Sequence, residues 1–413
     1  MLIEFSVENF LSFREKQTFS MIAAPRLGKK GNVFKPDVQG EKLPDLLKIA
    51  AIYGANASGK SNLIAALELV KSFASLKPSA QLTSLPVSPF RFDPLLADQP
   101  SRIELHFVTA GQRYAFELAA TKEKIVEERL TAFPRGKETL LYQRIYADAG
   151  DQYKMGKSLE GGAALHKIWE QLTSEQTLFI AQAVANSSNT MNQLREPFRW
   201  LQNGIFVVEA GMDTLVGVSK LVGKFMPKFI EEIPDFLQAI DVPVVGIKFE
   251  SMPNFGQQIM ATQEKIILTH KTALGEAEFD FQEESKGTQN LIGFWSPWTW
   301  MLGGQKTLVI DELDSSLHPN IVSSLINKHL AAEQPTQLIF TTHNTRLMQD
   351  KWLCQESVWL TQRELRRDQF WLTERDENGA TQLRSVHDFE GRESENLEKR
   401  YYEGRYRSLP FIR

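Results

Sequence analysis

The sequence predicts an α/β fold that combines a parallel sheet, an antiparallel β subdomain and a helical insertion. A glycine-rich loop at residues 54–61 lies between a short apolar strand at residues 48–53 and an amphipathic helix at residues 61–73. That order of elements is typical of a parallel α/β sheet. Alternating apolar residues between positions 103 and 130 indicate antiparallel strands. Helical spacing of apolar residues then dominates residues 163–240.

Three regions are expected along the 413 residues, a length that allows a sizeable core. Residues 1–160 would form an N-terminal lobe with the glycine-rich loop and the antiparallel β subdomain. Residues 161–243 would form the helical insertion, and residues 244–413 a C-terminal lobe that ends in strands. Asn378-Gly379 predicts a hairpin turn between two of those last strands.

The composition indicates a soluble globular protein, with 42% hydrophobic and 24% charged residues. The chain has no apolar run of about twenty residues that could cross a bilayer, and its start lacks the features of a signal peptide. The single cysteine, Cys354, excludes an intramolecular disulfide framework and favours a reducing compartment. We therefore expect a cytoplasmic protein without a membrane partner. Its net charge of −4 does not suit nucleic acid, although the total charge does not exclude a local basic face.

The first chemical motif is Gly54-Ala-Asn-Ala-Ser-Gly59-Lys60-Ser61, which fits the phosphate-loop pattern G-x-x-x-x-G-K-[ST]. Its glycines let successive N–H groups face phosphate oxygens, and the following helix directs its positive end at the same anion. Lys60 would bridge the β- and γ-phosphates of ATP, and the Ser61 hydroxyl would bind Mg²⁺. The predicted nucleotide-binding residues of this segment are Gly54, Asn56, Ser58, Gly59, Lys60, Ser61 and Asn62. The alternative is a chance glycine-rich turn.

The second motif is a β-branched apolar strand at residues 307–310 that ends in Asp311 and Glu312. In a parallel sheet such a strand places its terminal acids beside the phosphate loop. Asp311 would hold Mg²⁺, directly or through water. Glu312 is the candidate general base that polarises the attacking water. Without the phosphate loop, this acidic pair would read equally well as a solvated loop start.

Three further segments bring in a family resemblance. Ser285-Lys-Gly287-Thr288-Gln289 resembles a degenerate ABC signature sequence, and Leu313-Asp314-Ser-Ser-Leu-His-Pro resembles a D-loop. Leu338-Ile-Phe-Thr-Thr-His343-Asn resembles a switch-histidine strand. Together with the phosphate loop and the acidic strand, they resemble the ABC ATPases related to SMC and DNA-repair proteins. The resemblance implies an ABC-ATPase head that carries the predicted sheets and insertion.

The two ends of the chain narrow the resemblance further. The opening Asn9-Phe10-Leu-Ser-Phe13-Arg14 and the ending Glu398-Lys-Arg-Tyr-Tyr-Glu-Gly404-Arg-Tyr-Arg-Ser-Leu-Pro are similar to the small bacterial ABC ATPases of anti-phage defence loci. The ATPases of PARIS-like systems belong to that group. The implied cofactors are ATP and Mg²⁺.

The resemblance also implies that ATP joins two subunits. In ABC ATPases the signature of one subunit caps the nucleotide bound by another, so Ser285, Gly287 and Thr288 would contact the γ-phosphate in trans, with Asp314 in the D-loop between the sites. Serine hydroxyls and glycine N–H groups suit this contact because both donate to phosphate oxygens without bulk. His343 would be the catalytic γ-phosphate sensor. The alternatives are an ordinary helix cap for Ser285 and a core histidine for His343.

Other residues carry weaker signals. Phe13 and Arg14 lie where related ATPases approach the adenine or the α-phosphate, but a core phenylalanine and a surface arginine are equally compatible. Trp295, Trp298 and Trp300 are interpreted as helix core. The arginines 363, 366 and 367 are interrupted by Glu364 and Asp368, a pattern that predicts a solvated face. No Cys/His spacing suggests zinc, so Mg²⁺ is the only metal expected.

The leading functional hypothesis is an assembling ATPase that senses phage infection, with a phage protein as the trigger, and controls a co-encoded effector, a nuclease or toxin. The segment after His343 is too short for the nuclease domain that related defence proteins carry there. The alternative is a DNA-maintenance clamp, which normally needs a long coiled coil that this sequence lacks. A transporter motor is disfavoured because such subunits carry the signature much nearer to the phosphate loop. DNA binding stays open.

Overall fold

The structure is a computed structural model, and most of the chain is described in it. The described residues are 1–76, 84–208, 231–240, 242–252, 263–302, 304, 306–315, 317–349, 365–391, 395–406 and 408. The interpretations of Cys354, of Arg363 and of the helical spacing at residues 220–230 lie outside these residues.

The described residues form runs of strands and groups of helices. The helices are α1 (Lys60–Ser75), α2 (Gly162–Leu172), α3 (Phe179–Ala185), α4 (Arg195–Asn203), α5 (Ile233–Gln238), α6 (Lys286–Leu302), α7 (Pro319–Ala331) and α8 (Leu397–Tyr402). The strands are β1 (Leu2–Glu8), β2 (Gln17–Ser20), β3 (Val33–Phe34), β4 (Leu46–Leu47), β5 (Ile49–Gly54), β6 (Ser101–Thr109), β7 (Gln112–Ala120), β8 (Ile125–Ala132), β9 (Thr139–Ile145), β10 (Gln152–Met155), β11 (Ile205–Val208), β12 (Val244–Met252), β13 (Gln263–Thr272), β14 (Gly275–Asp280), β15 (Thr307–Ile310), β16 (Gln337–Thr341), β17 (Phe370–Arg375) and β18 (Thr381–Ser385). Among the described helices, none has the length and apolar character that a membrane crossing requires.

The central sheet has six strands in the order β11-β15-β16-β5-β17-β18. The first five run parallel, and β18 returns antiparallel to β17. Strands β5, β15 and β16 are buried along their whole length, as expected for parallel strands covered on both faces. The predicted parallel sheet is confirmed. The predicted hairpin at Asn378-Gly379 is confirmed as well, and it joins β17 to the edge strand β18.

Successive residues of β5 enter two different hydrophobic clusters. Ala50 and Ile52 belong to the cluster that contains α1 and the antiparallel sheet. Ala51 and Tyr53 belong to the cluster that contains α6 and α7. Because strand side chains alternate between the two faces of a sheet, β5 is packed from both sides. The loop that follows it therefore starts from a rigid strand end.

The antiparallel subdomain is a seven-stranded sheet in the order β10-β9-β8-β7-β6-β1-β2. Its β6–β7 hairpin turns at Ala110 and Gly111, whose φ angles of 49° and 70° are both positive. This two-residue geometry matches the twist of the flanking strands. The predicted antiparallel β subdomain is confirmed.

The region predicted as a helical insertion contains α2, α3, α4 and α5, but it also supplies a strand to the central sheet. Strand β11, within residues 161–243, pairs in parallel with β15, and Val207 lies opposite Val309. A run of four apolar residues after Gly204 is too short for its period to separate strand from helix. The range 161–243 is therefore not purely helical.

A buried carboxylate ties the helical region to the antiparallel sheet. Glu128 of β8 accepts the N–H groups of Phe179 and Ile180 at 2.6 and 3.0 Å, at the start of α3. It also accepts the Tyr142 hydroxyl at 2.7 Å. Burial raises the pKa of the Glu128 carboxyl, against the lowering effect of Arg144 and of these hydrogen bonds.

Two tryptophans of α6 have side chains that the structure describes, and both lie in the hydrophobic core as predicted. Trp295 and Trp298 are 2% and 0% exposed. The Trp298 indole N–H donates to His329 Nδ1 at 3.3 Å, and His329 Nε2 lies 3.2 Å from the carbonyl oxygen of Lys48. Burial lowers the pKa of His329 to about 4, so this neutral imidazole joins α6 and α7 to the segment before β5.

The predicted solvated arginine face is wrong for the two arginines that the structure describes. Arg366 and Arg367 are 4% and 6% exposed. The Arg366 guanidinium pairs with Asp368 through bonds of 3.0 and 2.6 Å, and Arg367 donates to the backbone carbonyls of Val386 and Phe389. The interrupting acid at position 368 is thus a buried partner, and neither arginine is accessible to nucleic acid.

Candidate nucleotide site

The glycine-rich loop connects β5 to α1 at the carboxyl edge of the central sheet. Gly59 has a φ of 107° and stands at the N-cap of the 16-residue helix α1, where no side chain caps the helix. The first N–H groups of α1 therefore have no side-chain acceptor and point into the loop. Helix N-termini of this kind favour anions through their N–H groups and their dipole.

Both glycines of the motif are required because side chains of β17 and β18 lie too close to leave room for a Cβ. A Cβ at Gly54 would lie 2.3 Å from Thr373 Oγ1, and a Cβ at Gly59 would lie 2.1 Å from Thr381 Oγ1. Gly59 also needs its left-handed backbone, which side chains disfavour. The strands β17 and β18 therefore press against the loop from one side.

The Lys60 ammonium lies inside the loop. Its Nζ donates to the carbonyl oxygens of Gly54 and Ala55 at 2.9 and 3.1 Å. Burial lowers the pKa of Lys60, while the carboxylates of Asp311, Glu312 and Asp314 raise it. A cation in this position, beside a helix start that no side chain caps, fits a phosphate group.

The acidic pair lies at the end of β15, next to β16, which itself pairs with β5. The Thr341 hydroxyl donates to Asp311 Oδ1 at 2.5 Å and accepts the backbone N–H of Glu312 at 2.7 Å. Glu312 is exposed and has a φ of 53°, an uncommon left-handed backbone for a residue with a side chain. Such strain, of order 1–3 kcal/mol, tends to cluster at functional sites.

The D-loop and switch-histidine segments meet at this edge. The backbone N–H of His343 donates to Asp314 Oδ2 at 3.1 Å, and the His343 residue is exposed. The segment after His343 is fixed from the C-terminal side. Glu398 of α8 accepts the Thr345 hydroxyl at 3.0 Å and the Gln349 amide at 2.6 Å.

The signature segment stands at the start of α6. Ser285 is exposed, and its Oγ accepts the Thr288 N–H at 3.1 Å and lies 2.8 Å from Thr288 Oγ1. Gln289 donates to the Phe281 carbonyl at 2.7 Å. Within the part of the chain that the structure describes, Ser285 and Thr288 therefore bond to each other and not to the phosphate loop. The helix-cap alternative describes Ser285 in the single chain.

The remaining predicted loop residues have varied surroundings. Asn56 and Ser61 are exposed at the loop and the first turn of α1. Ser58 Oγ lies 2.6 Å from Thr373 Oγ1, and Asn62 donates to Ser12 Oγ at 2.7 Å. The side chains of Ser58 and Asn62 therefore face protein partners.

Phe13 and Arg14 of the opening motif both have protein partners. Phe13 is 0% exposed and belongs to the cluster that contains α1. Arg14 forms an ion pair with Asp93 at 2.7 Å and is about one-third exposed. The structure thus assigns Phe13 to the core.

Sequence reasoning did not identify four hydroxyl residues at the site. Two of them lie in motifs of the family resemblance that gave them no role, and the other two have no local signal because their partner, Ser58, is more than 300 residues away. These residues are Ser12, Thr341, Thr373 and Thr381.

Fold and site together define a nucleotide-binding domain of the AAA/ABC ATPase type. The family described as "AAA domain, putative AbiEii toxin, Type IV TA system" matches residues 49–151 and 220–349, more than half of the chain. The protein belongs to this family.

Solved structures with a similar arrangement include an SMC head domain from Thermotoga maritima, with 14% identity, a TM-score of 0.40, and coverage of 93% of this chain and 98% of that one. Another is an SMC head bound to the C-winged helix domain of ScpA, with 11% identity, a TM-score of 0.42, and coverage of 93% of this chain and 97% of that one. A search of curated proteins found no match.

Proposed function

We propose that this protein hydrolyses ATP with Mg²⁺ at sites shared between two copies of the chain. We further propose that the ATP-dependent assembly controls a separate effector in anti-phage defence. The observation that carries the proposal is the convergence of Lys60, Asp311, Glu312 and His343 at one edge of the parallel sheet, around the helix start that suits an anion.

The chain's own groups divide into binding and positioning roles. Lys60 and the N–H groups of the loop would bind the β- and γ-phosphates. Ser61 and Asp311 would hold Mg²⁺, which neutralises phosphate charge when bound. Asn56 and the backbone of Gly54 and Gly59 would line the phosphates.

Glu312 is the proposed general base. It would accept a proton from the attacking water at the γ-phosphate, and Thr341 supports it by fixing the Glu312 N–H at 2.7 Å. His343, with its backbone held by Asp314, would donate to the γ-phosphate.

The proposed second copy supplies Ser285, Gly287 and Thr288. Ser285 is exposed at the helix start, Gly287 is partly buried and Thr288 is buried. The exposed serine supports a contact in trans, because its hydroxyl and the first N–H groups of α6 can donate to phosphate. In the cap bond Ser285 Oγ accepts the Thr288 N–H, so the hydroxyl proton can still be donated to a phosphate oxygen.

The trans arrangement predicts recovery of activity on mixing two inactive variants. Lys60→Ala removes the phosphate contact but keeps the signature, and Ser285→Arg blocks the signature but keeps the loop. Each alone should be inactive. Random mixing should restore up to roughly a quarter of the parental ATPase rate, because half the dimers are hetero-dimers with one intact site of two. ATPase rates of the mixture, with hetero-assembly verified by two affinity tags, provide the measurement. No recovery despite verified hetero-assembly contradicts the trans model.

The defence part of the proposal is supported by the family description, which reads "putative AbiEii toxin, Type IV TA system". The small bacterial ATPases of anti-phage loci, those of PARIS-like systems among them, are the proposed functional relatives. A cytoplasmic location and a phage protein as trigger belong to the same proposal.

The second candidate is a clamp acting on DNA. Its only support is that the sequence motifs resemble those of the ABC ATPases related to SMC and DNA-repair proteins. The net charge of −4 and the burial of Arg366 and Arg367 argue against it.

We therefore expect the isolated protein to bind DNA weakly and to lose that binding as salt rises, and to associate more tightly with a co-encoded protein. Fluorescence anisotropy on duplex DNA, from about 50 to 200 mM salt, measures the DNA affinity. Co-purification from the native operon tests the association with a co-encoded protein. Nanomolar DNA binding at the higher salt, without a protein partner, would favour the clamp.

A further inference from the structure

The C-terminal hairpin β17–β18 bonds to the phosphate loop at two points. Strand β17 runs parallel to β5 with Thr373 opposite Gly54, where the loop begins. Thr373 Oγ1 lies 2.6 Å from Ser58 Oγ and 3.3 Å from the Tyr53 carbonyl oxygen. Thr373 is 0% exposed and Ser58 is 4% exposed. The first contact therefore lies in a dry environment, where hydrogen bonds are strong.

The second contact comes from the start of β18. Thr381 Oγ1 lies 2.9 Å from the Ser58 carbonyl oxygen and 2.7 Å from Ser12 Oγ. Ser12 Oγ in turn accepts from the Asn62 amide at 2.7 Å. Thr381 is 1% exposed. This network spans the loop from its last residues to the first turn of α1.

The direction of the network follows from counting protons. A carbonyl only accepts and a hydroxyl has one proton, so Thr381 donates to the Ser58 carbonyl and Ser12 donates to Thr381. In the same way Thr373 donates to the Tyr53 carbonyl, and Ser58 donates to Thr373. Each hydroxyl proton then has one acceptor, and the loop is held in one arrangement.

We propose that Thr373 and Thr381 are positioning residues that hold the phosphate loop in its nucleotide-binding conformation before ATP arrives. The loop contains Ala57 at φ 62° and Gly59 at φ 107°, conformations that an unsupported chain would populate only in part. Fixing them in advance removes an ordering cost from binding. The proposal rests on the assignment of residues 54–61 as the ATP site.

Thr381→Val keeps the shape but removes the hydroxyl, which bonds to both Ser58 and Ser12. The loss of its bond to the loop carbonyl should raise the Kd and KM for ATP about five-fold to ten-fold. The kcat should change less than two-fold, because the groups at β15 and β16 are untouched. Thr381→Ser restores the donor and should return the affinity to near the parental value. Thr373→Val should weaken affinity similarly, and it provides a second test if Thr381→Val is poorly folded.

A matched control is Thr131→Val in the antiparallel sheet. Thr131 is 2% exposed, and among the described residues no group bonds to its hydroxyl. This variant should bind ATP as the parent does.

Hydrogen exchange of nucleotide-free protein tests the positioning directly. The amides of residues 55–60 should exchange at least five-fold faster in Thr381→Val than in the parent and in Thr381→Ser, with thermal unfolding measured alongside. Unchanged exchange in folded Val variants, or equal losses in the Val and Ser variants, overturns the proposal. A parent that binds no ATP contradicts the proposed function instead, and the exchange rates still decide the positioning role.

Discussion

Replacement of Lys60 by alanine is expected to weaken ATP binding by about 100-fold or more, since charge-assisted contacts to two phosphates are lost. The fold should survive, because the Lys60 ammonium bonds to the carbonyls of its own loop, Gly54 and Ala55, and not to a distant element. Any effect of the protein in cells should disappear with ATP binding. Titration calorimetry with ATP and Mg²⁺, together with thermal unfolding, measures both parts.

Lys71→Ala is the matched control, because Lys71 lies on the same helix and its ammonium faces the Phe206 ring at 5.3 Å. This variant should bind ATP normally. A folded Lys60→Ala protein with parental ATP affinity would remove the phosphate-loop assignment.

The parts of the site that could be predicted from sequence are those encoded by neighbouring residues. The strand, the glycines and the helix of the phosphate loop are contiguous, so their period and their turn residues indicate the structure directly. The same holds for the apolar strand before Asp311. The edge at which they meet follows from parallel pairing, which the buried run at residues 307–310 already indicated.

What could not be predicted depends on partners that are far apart in the chain. The acids near Arg366 and Arg367 suggested a solvated face, yet Arg366 also donates to the carbonyl of Ala24 at 2.8 Å. A charge pattern counts neighbours and cannot show a carbonyl more than 300 positions away. Strand β11 was missed for a related reason, since its pairing with β15, not its own four residues, makes it a strand.

The hydroxyl contacts of the loop show the same limit at the site itself. Thr373 and Thr381 follow the phosphate loop by more than 300 residues, and the Asn378-Gly379 turn before Thr381 predicts a hairpin but not its contact with the loop. Gly54 and Gly59 were predicted for their backbone freedom. The structure adds a second reason, which is that any side chain there would collide with these threonines.

Substitutions of Asp311 and Glu312 should have different effects, because Asp311 is proposed to act in ATP binding and Glu312 in hydrolysis. Glu312→Gln should bind ATP with near-parental affinity and hydrolyse it at least 100-fold more slowly, the usual contribution of a general base. The backbone N–H of residue 312 would still bond to Thr341, so only the carboxylate changes. The variant should accumulate as the ATP-bound assembly.

Asp311→Asn should instead lose much of its Mg²⁺-dependent ATP binding, because an amide replaces a charged ligand of a hard cation. The Thr341 hydroxyl can still donate to the remaining side-chain oxygen, so the strand end should keep its shape. Glu333→Gln, an exposed carboxylate in the loop before β16, is the matched control and should behave as the parent.

Single-turnover hydrolysis and light scattering in ATP and Mg²⁺ distinguish the two variants. Glu312→Gln should show a larger assembly that persists for as long as ATP remains, whereas Asp311→Asn should stay in the nucleotide-free state at the same ATP concentration. Because only Glu312 is proposed to move a proton, its loss stops the cycle after assembly, and the loss of Asp311 stops it before. A Glu312→Gln protein that turns over ATP near the parental rate would place the base elsewhere, and Thr341 would then be positioning Asp311 alone.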